Sequence, residues 1–157
     1  MKVGVIGNGF VGESQAFAFA KTNEVIVYDK DPLRSLGTLE EVHQSDFIFV
    51  AVPTPMKESG EHDLSIIEEV FTHAKEGPVY IIKSTVMPGT TESLRNKYPN
   101  LNIVFSPEFL TERIAKLDMM MQARIIFGGP KELTEKVEKL YRGRFMNRHF
   151  IHTDSTT

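Results

Sequence analysis

Apolar residues along this chain fall into short runs separated by polar stretches and by segments of helical spacing. Val3, Val5 and Ile6 mark Lys2–Ile6 as a strand buried on both faces. Similar runs follow at Glu24–Tyr28, residues 46–52, residues 79–84, Asn102–Phe105 and residues 124–127, with a last short strand within 145–152. Between them the spacing changes to that of helices. Residues 11–21 form the first, apolar on most sides. Thr38 is placed to cap a short helix over 38–43, with Glu40 and Glu41 in its first turn. Ile66, Ile67, Val70, Phe71 and Ala74 recur at helical spacing within 64–75. A helix follows Gly89 and ends near Tyr98. Another is predicted from Ser106 as N-cap and Pro107 as first helical residue. A charged one covers 131–141. Strands and helices alternating in this way predict an α/β Rossmann-type fold, a doubly wound, mainly parallel sheet with helices on both faces.

In such sheets ligands bind beyond the carboxyl ends of the strands. The polar stretches of this chain sit there, at residues 7–12, 29–34, 53–55, 84–91 and 106–112. The first reads Gly7-Asn8-Gly9-Phe10-Val11-Gly12, a G-x-G-x-x-G between a strand and a helix. Gly7 permits the turn out of the strand, Gly9 lets a pyrophosphate approach the backbone, and Gly12 lets helix and strand pack closely. The helix start offers unpaired N–H groups and a positive dipole end to phosphates. Asp29 closes the second strand, 22 positions after Gly7, where a carboxylate can hold the adenosine ribose hydroxyls. Its charge repels a 2′-phosphate and favours NAD over NADP, with Lys30 and Arg34 as nearby cations.

Composition narrows the reading further. A length of 157 residues fits one domain. A net charge of -3 gives no basic footprint for nucleic acid. The chain has no cysteine, so neither a disulfide nor a cysteine nucleophile can come from these residues. His43, His62, His73, His149 and His152 fall in no zinc-ligand spacing, and no metal site is expected. No apolar run reaches membrane-spanning length and no leader is visible, so a cytoplasmic protein is expected. Thr54 and Thr85 follow strands and read equally as turn caps or as cofactor contacts. Glu108 and Glu112, four apart, would share one helical face and could hold substrate hydroxyls or activate a water. By spacing alone they read better as a first-turn acid and a surface partner of Lys116. Met119, Met120 and Met121 read as packing.

Four segments together resemble the UDP-glucose/GDP-mannose dehydrogenase family. They are residues 7–12, Val50-Ala51-Val52-Pro53-Thr54-Pro55, the stretch from Lys83 to Thr91, and Ser106-Pro107-Glu108-Phe109-Leu110-Thr111-Glu112, in the family's order and spacing. The resemblance implies an NAD-binding domain covering residues 1–157, with the family's central helix and C-terminal substrate domain absent. It implies cofactor contacts at Gly7, Asn8, Gly9, Phe10, Val11, Gly12, Asp29, Arg34, Pro53, Thr54, Thr85 and Glu112. It implies reaction roles for Thr85, Glu108 and Glu112, the last orienting a water near the nicotinamide. Thr111 stands where many members carry a basic residue. Family enzymes oxidise a sugar C6 alcohol to a carboxylate in two NAD-dependent steps. Their cysteine, lysine and asparagine come from beyond the first domain. The expected activity is therefore that of a nucleotide-sugar 6-dehydrogenase, inactive in this piece alone, with a nucleotide-sugar substrate such as UDP-glucose bound only with the missing domain. The expected assembly is a monomer or weak homodimer. Two alternatives stay open: a stand-alone nucleotide-binding regulatory module, and a dehydrogenase subunit completed by a partner chain.

Overall fold

Seven apolar runs pair into a single sheet in a computed structural model that describes residues 1–156. The strands are β1 (Lys2–Ile6), β2 (Glu24–Tyr28), β3 (Phe47–Val50), β4 (Val79–Ile82), β5 (Asn102–Phe105), β6 (Arg124–Gly128) and β7 (His149–Thr153). Their spatial order is β2-β1-β3-β4-β5-β6-β7. The first five run parallel. The strand β6 meets β5 antiparallel through the single pair Phe105–Gly128, and β7 then runs parallel to β6. The chain leaves β1 for β2 on one side and returns to β3 on the other. The β1/β3 boundary is therefore the point where strand order reverses and a crevice opens.

The helices are α1 (Phe10–Phe19), α2 (Leu39–His43), α3 (Ser65–Thr72), α4 (Thr90–Lys97), α5 (Ala115–Met121) and α6 (Lys131–Arg142). They cover both faces. Strand residues alternate between faces, so Phe47 and Phe49 pack with Phe19, Met119 and Tyr141 under α1, α5 and α6. Ile48 and Val50 pack with Val42, Ile67, Phe71 and Leu94 under α2, α3 and α4. Thr38 caps α2 as its sequence predicts. Its hydroxyl accepts from the Glu41 amide at 3.2 Å, and Glu41 accepts from the Thr38 amide at 2.8 Å. The Thr38 amide and, at 3.1 Å, the Thr38 hydroxyl both donate to Glu41 Oε2 and hold that carboxyl below its usual range.

The helix predicted from Ser106 does not form. Residues 106–111 are irregular, and only a single 3-10 turn, Glu112–Ile114, precedes α5. Ser106 is fully buried, its amide donates to Ile82 O at 2.9 Å and its hydroxyl accepts from Lys83 Nζ at 3.2 Å. The would-be cap is thus committed to the sheet and to a partner far away in sequence.

Two fully buried tyrosines, Tyr80 and Tyr141, have hydroxyls whose ionisation works against the fold. Burial raises the Tyr80 hydroxyl's pKa, against hydrogen bonds with the Lys75 backbone. Tyr141 lies far above its ordinary value, through burial first and the Glu108 carboxylate second. Ser106 lies near it and pulls partly back, outside hydrogen-bond geometry. Raised folded-state values favour the protonated fold, so the contribution of these two groups is full below about pH 10 and is lost as pH rises past the unfolded tyrosine value. Denaturant titrations of the native chain and Tyr141→Phe on either side of that pH check this. The variant is expected to lose less stability on the alkaline side.

Candidate cofactor site

The site is built where β1 gives way to α1. Gly7 turns the chain with φ +94°, and an added Cβ would lie 2.5 Å from Ala51 O at the end of β3. Its amide donates to Tyr28 O at 2.9 Å, which ties the turn to β2. A Cβ on Gly12 would overlap the Gly7 carbonyl oxygen, so this position sets how closely α1 lies on β1. Gly9 differs from both, since a Cβ there would meet nothing within 4 Å. It is the N-cap of α1 and has no side chain to cap the helix amides, which leaves them for an incoming anion.

Asp29 fixes this loop from the end of β2. Its Oδ2 accepts from the Asn8 amide at 2.6 Å and its Oδ1 from the Asp31 amide at 2.8 Å. Asn8 Nδ2 donates to Arg34 O at 2.7 Å, and the Arg34 guanidinium lies 3.7 Å from Asp31. The glycine loop and the loop after β2 are therefore one hydrogen-bonded unit. A carboxylate oxygen has more than one acceptor site, so Asp29 can also receive hydroxyl donors.

Two cavities open along this unit. The first, of about 390 Å³, is lined by Gly9, Asp29, Arg34, Pro53 and, from α3, Ile66 and Val70. The second, of about 360 Å³, is lined by Phe10, Val11, Thr54, Thr85, Lys83 and Glu108. They share Gly9, Ala51, Val52 and Pro53, so one cleft crosses the carboxyl ends of β1, β3 and β4 with the glycine loop at its middle. An extended dinucleotide needs this arrangement, with its pyrophosphate at the glycines and one nucleoside to each side. Beyond β3, the Thr54 hydroxyl donates to Thr85 O at 2.5 Å and the buried Ser84 hydroxyl to Val52 O at 2.7 Å. These bonds lock together the two strand ends that floor the far cavity.

The comparisons with known proteins agree on a kinship. The family model described as UDP-glucose/GDP-mannose dehydrogenase family, NAD binding domain, matches residues 33–144. The chain belongs to this family. It is 31% identical to a UDP-glucose 6-dehydrogenase from Campylobacter jejuni, over 90% of this chain and 45% of that protein. It is 29% identical to a UDP-N-acetyl-D-mannosamine dehydrogenase from Pyrococcus horikoshii, over 100% of this chain and 48% of that protein. A solved UDP-glucose dehydrogenase from Pyrobaculum islandicum superposes with a TM-score of 0.85 at 23% identity, covering 99% of this chain and 46% of its own. The chain thus spans less than half the length of these relatives. NAD is the cofactor of the matched domain.

Within the family frame, the cleft gathers Gly7, Gly9, Phe10, Val11, Asp29, Arg34, Pro53, Thr54, Thr85 and Glu108 along its walls. Asn8 and Gly12 stand behind, holding the loop. Glu112 is not brought in: it is exposed on the 3-10 turn and lines neither cavity. It shares no helical face with Glu108, because the intervening segment is not helical. The surface pairing of Glu112 with Lys116 is replaced as well, since Lys116 Nζ bonds Glu13 at 2.7 Å and so joins α5 to α1. Glu108 is a buried ion-pair partner rather than a first-turn acid. Sequence reasoning missed its companions Lys83 and Gln15. The only local signal was a polar residue at a position that the surrounding pattern buries. Among the described residues no group of histidines and acids could hold a metal, and no helix is long and apolar enough to cross a membrane.

Proposed function

We propose that this chain is the cofactor-holding part of a nucleotide-sugar 6-dehydrogenase, with the adenosine half of NAD in the Asp29 cavity and the nicotinamide half beside Thr54, Thr85 and Glu108. One observation carries the reading: the two cavities form a single cleft centred on Gly9, with a carboxylate clamped at one end and polar strand ends at the other. Bound NAD would supply a hydride acceptor. Asp29 would orient the ribose hydroxyls, and its charge would turn away a 2′-phosphate. The α1 amides would face the pyrophosphate, and the locked Thr54–Thr85 pair would border the reacting end.

The chain contains no cysteine and spans less than half of its relatives. The substrate, a sugar nucleotide such as UDP-glucose, would need residues equivalent to the rest of those relatives. The expected setting is the cytoplasm. Calorimetric titration tests the reading. NAD is expected to bind, and NADP to bind at least about tenfold more weakly, the scale of one unfavourable charge contact. Addition of UDP-glucose to the NAD complex is expected to yield no NADH above background. Equal affinity for the two cofactors, or steady turnover by these residues alone, would overturn it.

A further inference from the structure

In the wall of the far cavity Glu108 belongs to a buried cluster whose lysine the proposed function does not use. Lys83 Nζ sits 2.9 Å from Glu108 Oε2, with side chains only 2% and 7% exposed. The same ammonium donates to Ser106 Oγ at 3.2 Å. Glu108 Oε2 also accepts from Gln15 Nε2 at 2.9 Å, and Oε1 accepts from the Phe109 amide at 3.0 Å. Gln15 is itself fully buried on α1, and its Nε2 lies 3.4 Å from Met119 Sδ. Two residues distant in sequence, Gln15 and Lys83, therefore converge with the adjacent Phe109 amide to fix one carboxylate.

A buried ion pair is a poor device for stability, because desolvation offsets most of the attraction and an apolar pair of similar volume does as well. This pair also lines the cavity rather than the core proper. Its placement points to a role toward whatever occupies that cavity. Oxidised and reduced nicotinamide differ by one unit of charge. A lone carboxylate in the wall would favour the cationic ring, and a lone ammonium the neutral one. Together they present no net charge.

We propose that Lys83 is a positioning residue that pins the Glu108 carboxylate and cancels its charge, so that this wall imposes no bias between NAD and NADH. The proposal rests on the nicotinamide half occupying the far cavity.

The test is calorimetric titration of the native chain, Lys83→Met, Glu108→Gln, the double variant and Lys83→Arg with NAD and with NADH. It is run near pH 8.5, about four units above the ordinary carboxylate range. The readout is the ratio of the two affinities, which a purely structural role would leave unmoved. Lys83→Met is expected to shift the ratio toward NAD and Glu108→Gln toward NADH, each by a few-fold to about tenfold, the order expected for unit charges across a partly buried site. The double variant and Lys83→Arg are expected to return near the native ratio. If Lys83→Met does not fold, the shift toward NADH in Glu108→Gln and its reversal in the double variant carry the same comparison. Shifts of the same sign, or none, in variants that bind NAD overturn this proposal alone. Failure of the native chain to bind either cofactor overturns it together with the reading on which it rests.

Discussion

Gly12→Ala is expected to destabilise the fold by about 3 kcal/mol or more, whereas Gly9→Ala is expected to leave its stability nearly unchanged and to lose most NAD affinity. Both substitutions add one methyl group, at the N-cap of α1 and in its first turn, so the contrast isolates geometry. At Gly12 the methyl would overlap the Gly7 carbonyl oxygen and press 3.2 Å from Val5 Cγ1. Neither neighbour can yield cheaply, because one is the backbone of the turn and the other belongs to a buried strand. Relief would require α1 to move off β1, and α1 carries Phe19, whose ring packs 5.1 Å from Phe49 and 5.0 Å from Tyr141 at the centre of the core. At Gly9 the backbone is already extended, with φ -78° and ψ -171°, and the added methyl meets nothing. It would stand in the cleft where both cavities join, in the path of a pyrophosphate. Thermal denaturation and NAD titration of the two variants side by side check the pair. A stable Gly12→Ala protein, or full NAD binding by Gly9→Ala, would contradict the placement of the loop.

Asp29→Ala is expected to weaken NAD binding by at least about tenfold, to narrow the preference over NADP, and to lower stability by about 1–2 kcal/mol. The three effects have different origins. The affinity loss comes from removing an acceptor for ribose hydroxyls. The narrowed preference comes from removing the charge that opposes a 2′-phosphate, while Lys30 and Arg34 remain beside the cavity. The stability loss comes from the Asn8 and Asp31 amides, which lose their shared acceptor. Asp29→Asn separates them, because an amide oxygen can still accept from one of those amides while the charge is gone. Its melting temperature is expected to lie between those of the native chain and Asp29→Ala, with cofactor preference already narrowed. Calorimetry with both cofactors and a thermal melt on each variant distinguish the three.

How far the sequence reveals this molecule depends on how local each determinant is. The β1–α1–β2 unit is legible because strand pattern, glycines and Asp29 lie within thirty residues and each position has a backbone reason. The Thr38 cap is legible for the same reason, since cap and partner are three residues apart. The expected layering of helices on both faces follows from strands that are apolar on both sides, and it is found. The failure at Ser106 is instructive. Its side chain and the proline after it match a helix start, yet the hydroxyl is taken by Lys83, 23 residues earlier in the chain. Without that helix, Glu108 turns inward to Lys83 and Gln15, and Glu112 is left outside on an exposed turn. Lys83 and Gln15 could not be singled out, because a buried polar residue is explained only by its tertiary partner. The antiparallel join of β5 and β6 rests on one residue pair and has no local signature either.

The central claim is that NAD lies along the single cleft from Asp29 across Gly9 to Thr85. Titration of isotope-labelled protein with NAD, followed through backbone amide chemical shifts, tests it most directly. Saturable shifts are expected at Gly7, Gly9, Gly12, Asp29, Thr54 and Thr85. Residues at the opposite end of the sheet, such as Asp46 and Gly77, are expected to stay still. Shifts confined to the opposite end, or no shifts at millimolar NAD, about the weak limit for a working cofactor site, would contradict the account.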